Sequence, residues 1–192
     1  MRKVIICAVI IITGSTGLLN GNPAALAKFQ ERMQSISTMR GTITINSGDG
    51  MVTTGDFAYK APNKIKVNLG SGKVITTNGT RLWVYDSSSQ ICGVQDVGGG
   101  NSGGIASMVG GSSAIVSSSG SGYVIKLAGS YYDEITIAVD STYMMKSVNF
   151  GGAGGFSVSF SGVTVGGNLP SGMFDYSPPA DTQIVNNPLN IR

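Results

Sequence analysis

The residue types that most often carry catalysis are scarce in this sequence. It contains no histidine among its 192 residues, which removes the commonest general base, the usual hydrolase triads and the common zinc sites. Its ten carboxylates fall into no recognisable paired motif, so glycosidase chemistry has no support. We therefore predict that the protein is not an enzyme, and we expect no metal and no cofactor.

Two glycine clusters, at 98–104 and 151–155, invite comparison with phosphate-binding loops. Neither has the Lys-Ser/Thr pair of a P-loop, and neither fits the dinucleotide fingerprint between a strand and a helix. Both are therefore interpreted as ordinary loops.

The N-terminus has the pattern of a secretory signal. A basic start is followed by an apolar run, residues 4–12, that is too short to span a bilayer and that leads into small residues. We expect residues 1–17 to be a signal peptide, with the cleavage site between 17 and 27. Residues 18–192 are then a single exported domain.

The net charge and the cysteine content of the mature chain are both low. Loss of Arg2 and Lys3 with the signal lowers the formal net charge from +3 to about +1. At this charge the chain as a whole has no electrostatic footprint for nucleic acid or for anionic lipid headgroups. Cys92 is then the one remaining cysteine. It is predicted to pack as a small hydrophobe, with a free reactive thiol as the alternative.

A single helix is predicted near the start of the mature chain. Asn22 is a good N-cap and Pro23 suits the first helical position. Apolar residues then recur at helical spacing for about four turns, and Gly41 is predicted to end the segment. The apolar stripe is Leu26, Phe29, Met33 and Ile36.

The rest of the chain alternates apolar and polar residues, as strands do when one face is buried. Short joints, among them the hairpin signal Asn78-Gly79, predict an antiparallel meander. The predicted strands are Thr42–Asn46, Met51–Lys60, Lys64–Leu69, Lys73–Thr77, Thr80–Asp86, Tyr123–Ala128, Tyr132–Val139, Tyr143–Phe150 and Phe156–Val165, with a final edge strand in the tail halted by Pro178-Pro179.

So many one-sided strands and one helix imply a strongly curved sheet. Either the sheet closes and fills with its own side chains, or something else occupies its concave side. The glycine- and serine-rich segment 97–122 is either a linker or a mobile flap whose apolar island, 105–109, touches the apolar face. Trp83 and Tyr85 either cap the outer surface or face a ligand.

Four segments, in order, resemble a known family. They are "RMQSISTMRGTITI", "GDFAYKAPNKIKV", "ITTNGTRLWVYD" and "MFDYSPPADTQIV". The LolA family of periplasmic lipoprotein carriers has a helix ending in Val/Ile-Ser-Ser/Thr-aromatic and a Gly-x-hydrophobic-x-x-Lys-x-Pro-Asn hairpin. It also has an Asp/Asn-Gly-x-x-Leu-Trp-x-Tyr strand and a terminal Phe-x-Phe-x-Pro-Pro. The resemblance covers residues 24–86 and 130–185.

The resemblance implies a mainly β fold, an incomplete, open antiparallel β-barrel with an N-terminal helix and a short lid segment over the concave face. It also implies a function: a monomeric periplasmic carrier that binds the acyl chains of lipoproteins. Its partners would be acylated lipoproteins, an ABC-type exporter in the inner membrane and an outer-membrane acceptor. Cavity positions of the family fall on Met33, Ile65, Val67 and Leu69. Residues on the same apolar faces, and the island, complete the expected lipid-binding set: Phe29, Ile43, Ile45, Phe57, Tyr59, Ile105, Met108, Val109, Ile135, Ile137, Val139, Phe156, Val158 and Phe160.

Two positions depart from the family pattern. The family's Lys-Arg-Pro-Asn carries an arginine that fixes the closed lid, and Ala61 stands there in this sequence. The lid region is the glycine-rich 97–122, which is a poor helix former. A looser lid follows. Two alternatives stay open: a LolA-like envelope sensor or structural β-module that binds another amphiphile or a protein, and a secreted β-sandwich with a packed core.

Overall fold

The computed structural model describes residues 20–21, 23–97, 114–127, 134–151 and 155–186. The predicted signal peptide, 1–17, lies outside the described residues, as do Ile105, Met108 and Val109 of the predicted flap.

Helix α1 spans Pro23–Gln34, so it begins where the sequence predicts and is shorter than predicted. The Ser35 hydroxyl donates to the Arg32 carbonyl oxygen at 2.7 Å, and serine side chains that bond the backbone in this way compete with helix propagation. Gly41 does not end the helix, as predicted, but lies inside the next strand. All four residues of the apolar stripe are buried.

The described residues form one sheet of thirteen strands in the order β1-β8-β9-β10-β11-β12-β2-β3-β4-β5-β6-β7-β13. The two terminal pairs, β1 with β8 and β13 with β7, are parallel, and the strands between them are antiparallel. The sheet has two ends and is therefore open, which confirms the predicted fold class. The strands are β1 (Asn20–Gly21), β2 (Thr38–Ser47), β3 (Val52–Lys60), β4 (Lys64–Leu69), β5 (Lys73–Thr77), β6 (Arg81–Asp86), β7 (Ile91–Asp96), β8 (Ala114–Ser119), β9 (Gly122–Leu127), β10 (Ile135–Val139), β11 (Met145–Phe150), β12 (Phe156–Val165) and β13 (Gln183–Asn186).

Several parts of the sheet differ from the prediction. Strand β1 was not predicted, and β11 begins at Met145, two residues after the predicted start. Strand β7 was missed because "ICGVQD" lacks a clean alternation. Strand β8 lies within the glycine- and serine-rich segment, so the linker or flap interpretation is wrong for 114–119. The tail does form an edge strand, but β13 follows Pro178-Pro179 instead of preceding them.

The sheet has an inner face, on which α1 packs, and an outer face. The inner face holds the main apolar core, which joins the helix to both halves of the sheet. A C-terminal segment, 166–182, crosses the outer face from β12 to β13, and we term it the strap. The strap includes a short 3-10 helix, Ser171–Phe174.

Hydrogen bonds attach the strap to successive strands. Thr38 Oγ1 donates to the Gly167 carbonyl at 3.0 Å, Lys60 Nζ to the Leu169 carbonyl at 2.7 Å and Thr76 Oγ1 to the Phe174 carbonyl at 3.1 Å. Because these donors lie on β2, β3 and β5, they fix the strap across the outer face of the sheet.

A second apolar cluster lies beneath the strap on the outer face. It contains Trp83, Tyr85 and Cys92, with Tyr176 of the strap packed against them; the rings of Tyr85 and Tyr176 are 5.9 Å apart. Of the two interpretations of Trp83 and Tyr85, the outer-surface one is correct. Cys92 is fully buried, and burial raises the pKa of its thiol, so it packs as the predicted small hydrophobe.

Gly55 is required where β3 pairs with β4. A Cβ at this position would clash with the Asn68 carbonyl oxygen and lie 2.7 Å from Leu69 Cα. Both atoms belong to the backbone, so the strand pairing itself must shift. We expect Gly55→Ala to lower the free energy of unfolding by about 3 kcal/mol, as overpacking of a well-packed site does.

Urea unfolding followed by circular dichroism measures this loss. Gly172→Ala is the matched control, because a Cβ there has no atom within 4 Å. Equal stability of the two variants would contradict the proposed clash.

Candidate functional site on the inner face of the sheet

The first half of the inner face is built by β2, β3 and β4. Phe57 pairs with Val67 and Tyr59 pairs with Ile65 across β3 and β4, so these four side chains share a face, as the alternation predicts. Leu69 pairs with Gly55 on the same face. Their polar neighbours lie on the outer face.

The second half is built by β10, β11 and β12. Val158 pairs with Ile45, and Phe160 pairs with Ile43, across β12 and β2; this joins the two halves into one surface. The pairing partners of Ile135 and Ile137 on β11 are Phe150 and Val148. The inner face is therefore a continuous apolar surface and not two separate patches.

Two pairs of aromatic rings pack against each other on this surface. The rings of Phe57 and Phe160 meet edge to face with centroids 5.3 Å apart, and those of Phe150 and Phe156 stack at 4.4 Å. Gly41 makes room for the first pair, because Phe57 Cε1 lies 3.1 Å from the point where a Cβ on Gly41 would stand.

The structure brings together every predicted lipid-binding residue that it describes. Ten are buried in the main core and five, Ile65, Leu69, Phe156, Val158 and Phe160, are partly exposed at its margin. The other three, Ile105, Met108 and Val109, lie outside the described residues. The structure therefore gives the position of these residues but no ligand for them.

Helix α1 buries some of the inner-face side chains. Phe29 and Met33 are 0% and 3% exposed, since they lie between α1 and the sheet, and a ligand would reach them only if the helix moved. A helix of twelve residues is about 18 Å long, whereas the thirteen strands span about 58 Å across the sheet. The helix therefore covers only part of the apolar surface.

Sequence reasoning missed a stacked tyrosine pair beside the core. The rings of Tyr123 and Tyr143 lie 5.1 Å apart, and their hydroxyl oxygens are 3.4 Å apart. The hydrogen bond that the Tyr143 hydroxyl donates to the Tyr123 hydroxyl raises the pKa of Tyr143, and Lys28 Nζ lies 5.8 Å from the Tyr143 ring centroid. Tyr143 has a φ of 60° in the turn before β11, so no strand alternation could have placed it.

Further inner-face residues could have been found from the sequence. They continue the alternation of strands that were predicted correctly but whose apolar residues were not included. Examples are Ile75, Leu82, Val84 and Ile125.

An ion pair lies at one end of the face. Lys73 Nζ and Asp86 Oδ2 are 3.2 Å apart. The hydrogen bond from the Ser88 hydroxyl, with smaller effects from the Ser88 amide and from Lys73, holds the pKa of Asp86 below its ordinary value despite partial burial. The carboxylate is therefore ionised and paired at neutral pH.

Within the described ranges, no three residues with metal-ligating side chains lie close enough together to hold an ion. Over the same part of the chain, no helix is long and apolar enough to cross a membrane.

No protein-family model matches the sequence, and no curated protein matches it significantly. A crystal structure of an uncharacterized conserved protein from Thermus thermophilus superposes with a TM-score of 0.62, over 85% of this chain and 98% of that one, at 9% identity. The two proteins share one fold.

The LolA superfamily, which the sequence motifs indicate, is represented among the structural neighbours. LolA superfamily protein NE2245 from Nitrosomonas europaea has a TM-score of 0.44 and 14% identity, over 80% of this chain and 97% of that one. A putative outer membrane lipoprotein-sorting protein domain from Vibrio parahaemolyticus has a TM-score of 0.44 and 9% identity, with the same coverage. At these values the two comparisons add nothing to the fold that the Thermus protein shows.

Proposed function

We propose that this protein is a non-enzymatic carrier in the bacterial periplasm that binds the acyl chains of lipoproteins on its inner face. One observation carries the proposal. The apolar inner face is continuous across both halves of an open sheet, and five of the predicted residues on it remain partly exposed. Contiguous apolar surface that stays accessible marks an interaction site.

The chemistry of the face suits a hydrocarbon ligand. The partly exposed margin is formed by Ile, Leu, Val and Phe side chains, including Ile65, Leu69 and Val158. Each methylene buried against them contributes about 0.8 kcal/mol, so one acyl chain binds reversibly and several bind almost irreversibly. A carrier must release what it binds, and partial cover by the helix keeps the affinity moderate.

The proposed partners follow from the same energetics and from the family motifs. Extraction of a multiply acylated lipoprotein from a membrane requires an energy source, and the sequence has no nucleotide-binding motif. Loading would therefore depend on an ATP-driven exporter of the inner membrane, and delivery on an acceptor at the outer membrane. Export of the carrier would depend on the signal sequence at residues 1–17.

Binding of a fluorescent fatty acid tests the proposal directly. We expect the probe to become fluorescent on addition of the purified protein, to saturate at a defined stoichiometry and to be displaced by unlabelled palmitate. Mass spectrometry of lipids that copurify with the protein identifies the natural chains. A protein that binds no probe and carries no lipid would exclude an acyl-chain carrier.

A further inference from the structure

A groove of about 380 Å³ lies on the outer face, opposite the proposed acyl site. Its floor is β3 between β2 and β4, and its wall is the strap, through Leu169 and Met173. Arg40, Ala58 and Lys66 form one row across these strands. Ala58 is buried against Leu169 and Phe174 of the strap, so the two cations flank an apolar floor.

Among the described residues, neither cation of the groove has a carboxylate partner, whereas three other cations on the sheet do. Lys73, Arg81 and Lys126 each pair with a carboxylate at 3.2 Å. Arg40 and Lys66 make no ion pair and no side-chain hydrogen bond within the described residues. Their charges are therefore available to a ligand.

More positive charge lies beside the groove. Lys60 and Lys64 form the next row across β3 and β4, and Lys60 Nζ donates to the Leu169 carbonyl and to Ser171 Oγ. One carboxylate, Asp56, also lines the groove and partly offsets this charge. The balance of the charged side chains here remains positive.

Neutral hydrogen-bonding groups complete the lining. Thr42 and Asn68 occupy the row that contains Asp56, and Thr164 pairs with Arg40 across β12 and β2. All three side chains line the groove. Strands β2 and β4 are about 10 Å apart, so the long Arg40 and Lys66 side chains, which both line the groove, can reach one group bound in it.

We propose that this groove binds a phosphate group. A guanidinium fork and an ammonium on opposite sides, with hydroxyl and amide groups between them, can together contact the several oxygens of a phosphate group. The ligand is a soluble phosphate ester or the headgroup of a phospholipid. This site is separate from the inner face and does not depend on the proposed acyl carrier function.

Calorimetry with inorganic phosphate and glycerol phosphate, and cosedimentation with vesicles of phosphatidylglycerol or of phosphatidylcholine, test the proposal. We expect the double variant Arg40→Gln/Lys66→Gln to bind at least about tenfold more weakly, because hydrogen bonds to charged groups are lost. The matched control, Arg81→Gln/Lys126→Gln, removes the same charge from ion pairs elsewhere and should bind like the unaltered protein. Asp56→Asn should bind more tightly.

These experiments distinguish a specific phosphate site from a general effect of charge. Binding of the soluble phosphates, or of phosphatidylglycerol vesicles alone, that is lost only in the groove variant supports the site and identifies its source of phosphate. Equal weakening in both double variants would reduce the effect to net charge and overturn the proposal. So would the absence of binding to every phosphate probe. Circular dichroism verifies that each variant is folded.

Discussion

Ile65→Glu is expected to weaken acyl-chain binding at least about 100-fold while the protein stays folded. Ile65 lies at the partly exposed margin of the inner face, so the carboxylate can reach water in the free protein. A bound acyl chain would remove that water, and an unpaired charge enclosed in hydrocarbon costs several kcal/mol. Titration with the fluorescent fatty acid measures the loss.

The test requires a position where a glutamate does not unfold the protein. Val67 is 8% exposed, so a glutamate there would be buried and would unfold the sheet, and its effect on binding could not be interpreted. Val158→Glu is a second test at the margin, on the other half of the sheet. Ser161→Glu on the same strand adds the same charge to the exposed outer face and should bind the probe normally.

We therefore expect Ile65→Glu and Val158→Glu to bind the fatty acid weakly and Ser161→Glu to bind it normally. All three variants should have the circular dichroism spectrum of the unaltered protein. Normal fatty-acid binding by both Ile65→Glu and Val158→Glu would show that the inner face is not the acyl-binding site. Loss of binding in Ser161→Glu as well would point to a general effect of charge.

Phe29→Ala should produce the largest loss of stability of any single change considered. Phe29 is 0% exposed and joins α1 to the sheet. Truncation of a buried phenylalanine to alanine lowers the free energy of unfolding by about 3 to 5 kcal/mol, through lost burial and the cavity left behind. For a domain of this size the midpoint of thermal unfolding should fall by about 10 °C.

Phe156→Ala is the control of matched chemistry for that experiment. Phe156 is partly exposed at the margin of the same core, so the same truncation should cost clearly less. Differential scanning calorimetry compares the two. A loss at Phe29 no larger than that at Phe156 would mean that the helix is not anchored on the sheet through this side chain.

Local patterns in the sequence predicted most of the sheet. The bounds of β4, β5 and β12 agree with the predicted Lys64–Leu69, Lys73–Thr77 and Phe156–Val165. These segments are short runs rich in β-branched or aromatic residues and end at turn residues, which are local signals of a strand. Strand β8, in contrast, consists partly of serine, which has no strong strand preference, and it forms because β9 pairs with it.

The inner face was predictable for a related reason. Strand periodicity assigns each residue to one of two faces, and the apolar set must be the buried one. The stacked Tyr123 and Tyr143 were not found, because Tyr143 lies in a turn where periodicity does not apply.

The sequence by itself therefore determined most of the strands and which of their faces is apolar, since both depend mainly on neighbours along the chain. Only the tertiary structure decided that Trp83 and Tyr85 are covered by the strap and that Arg40 and Lys66 face each other across Ala58. These arrangements join residues far apart in the sequence. They depend on strand order and on the path of the strap, which local patterns do not encode.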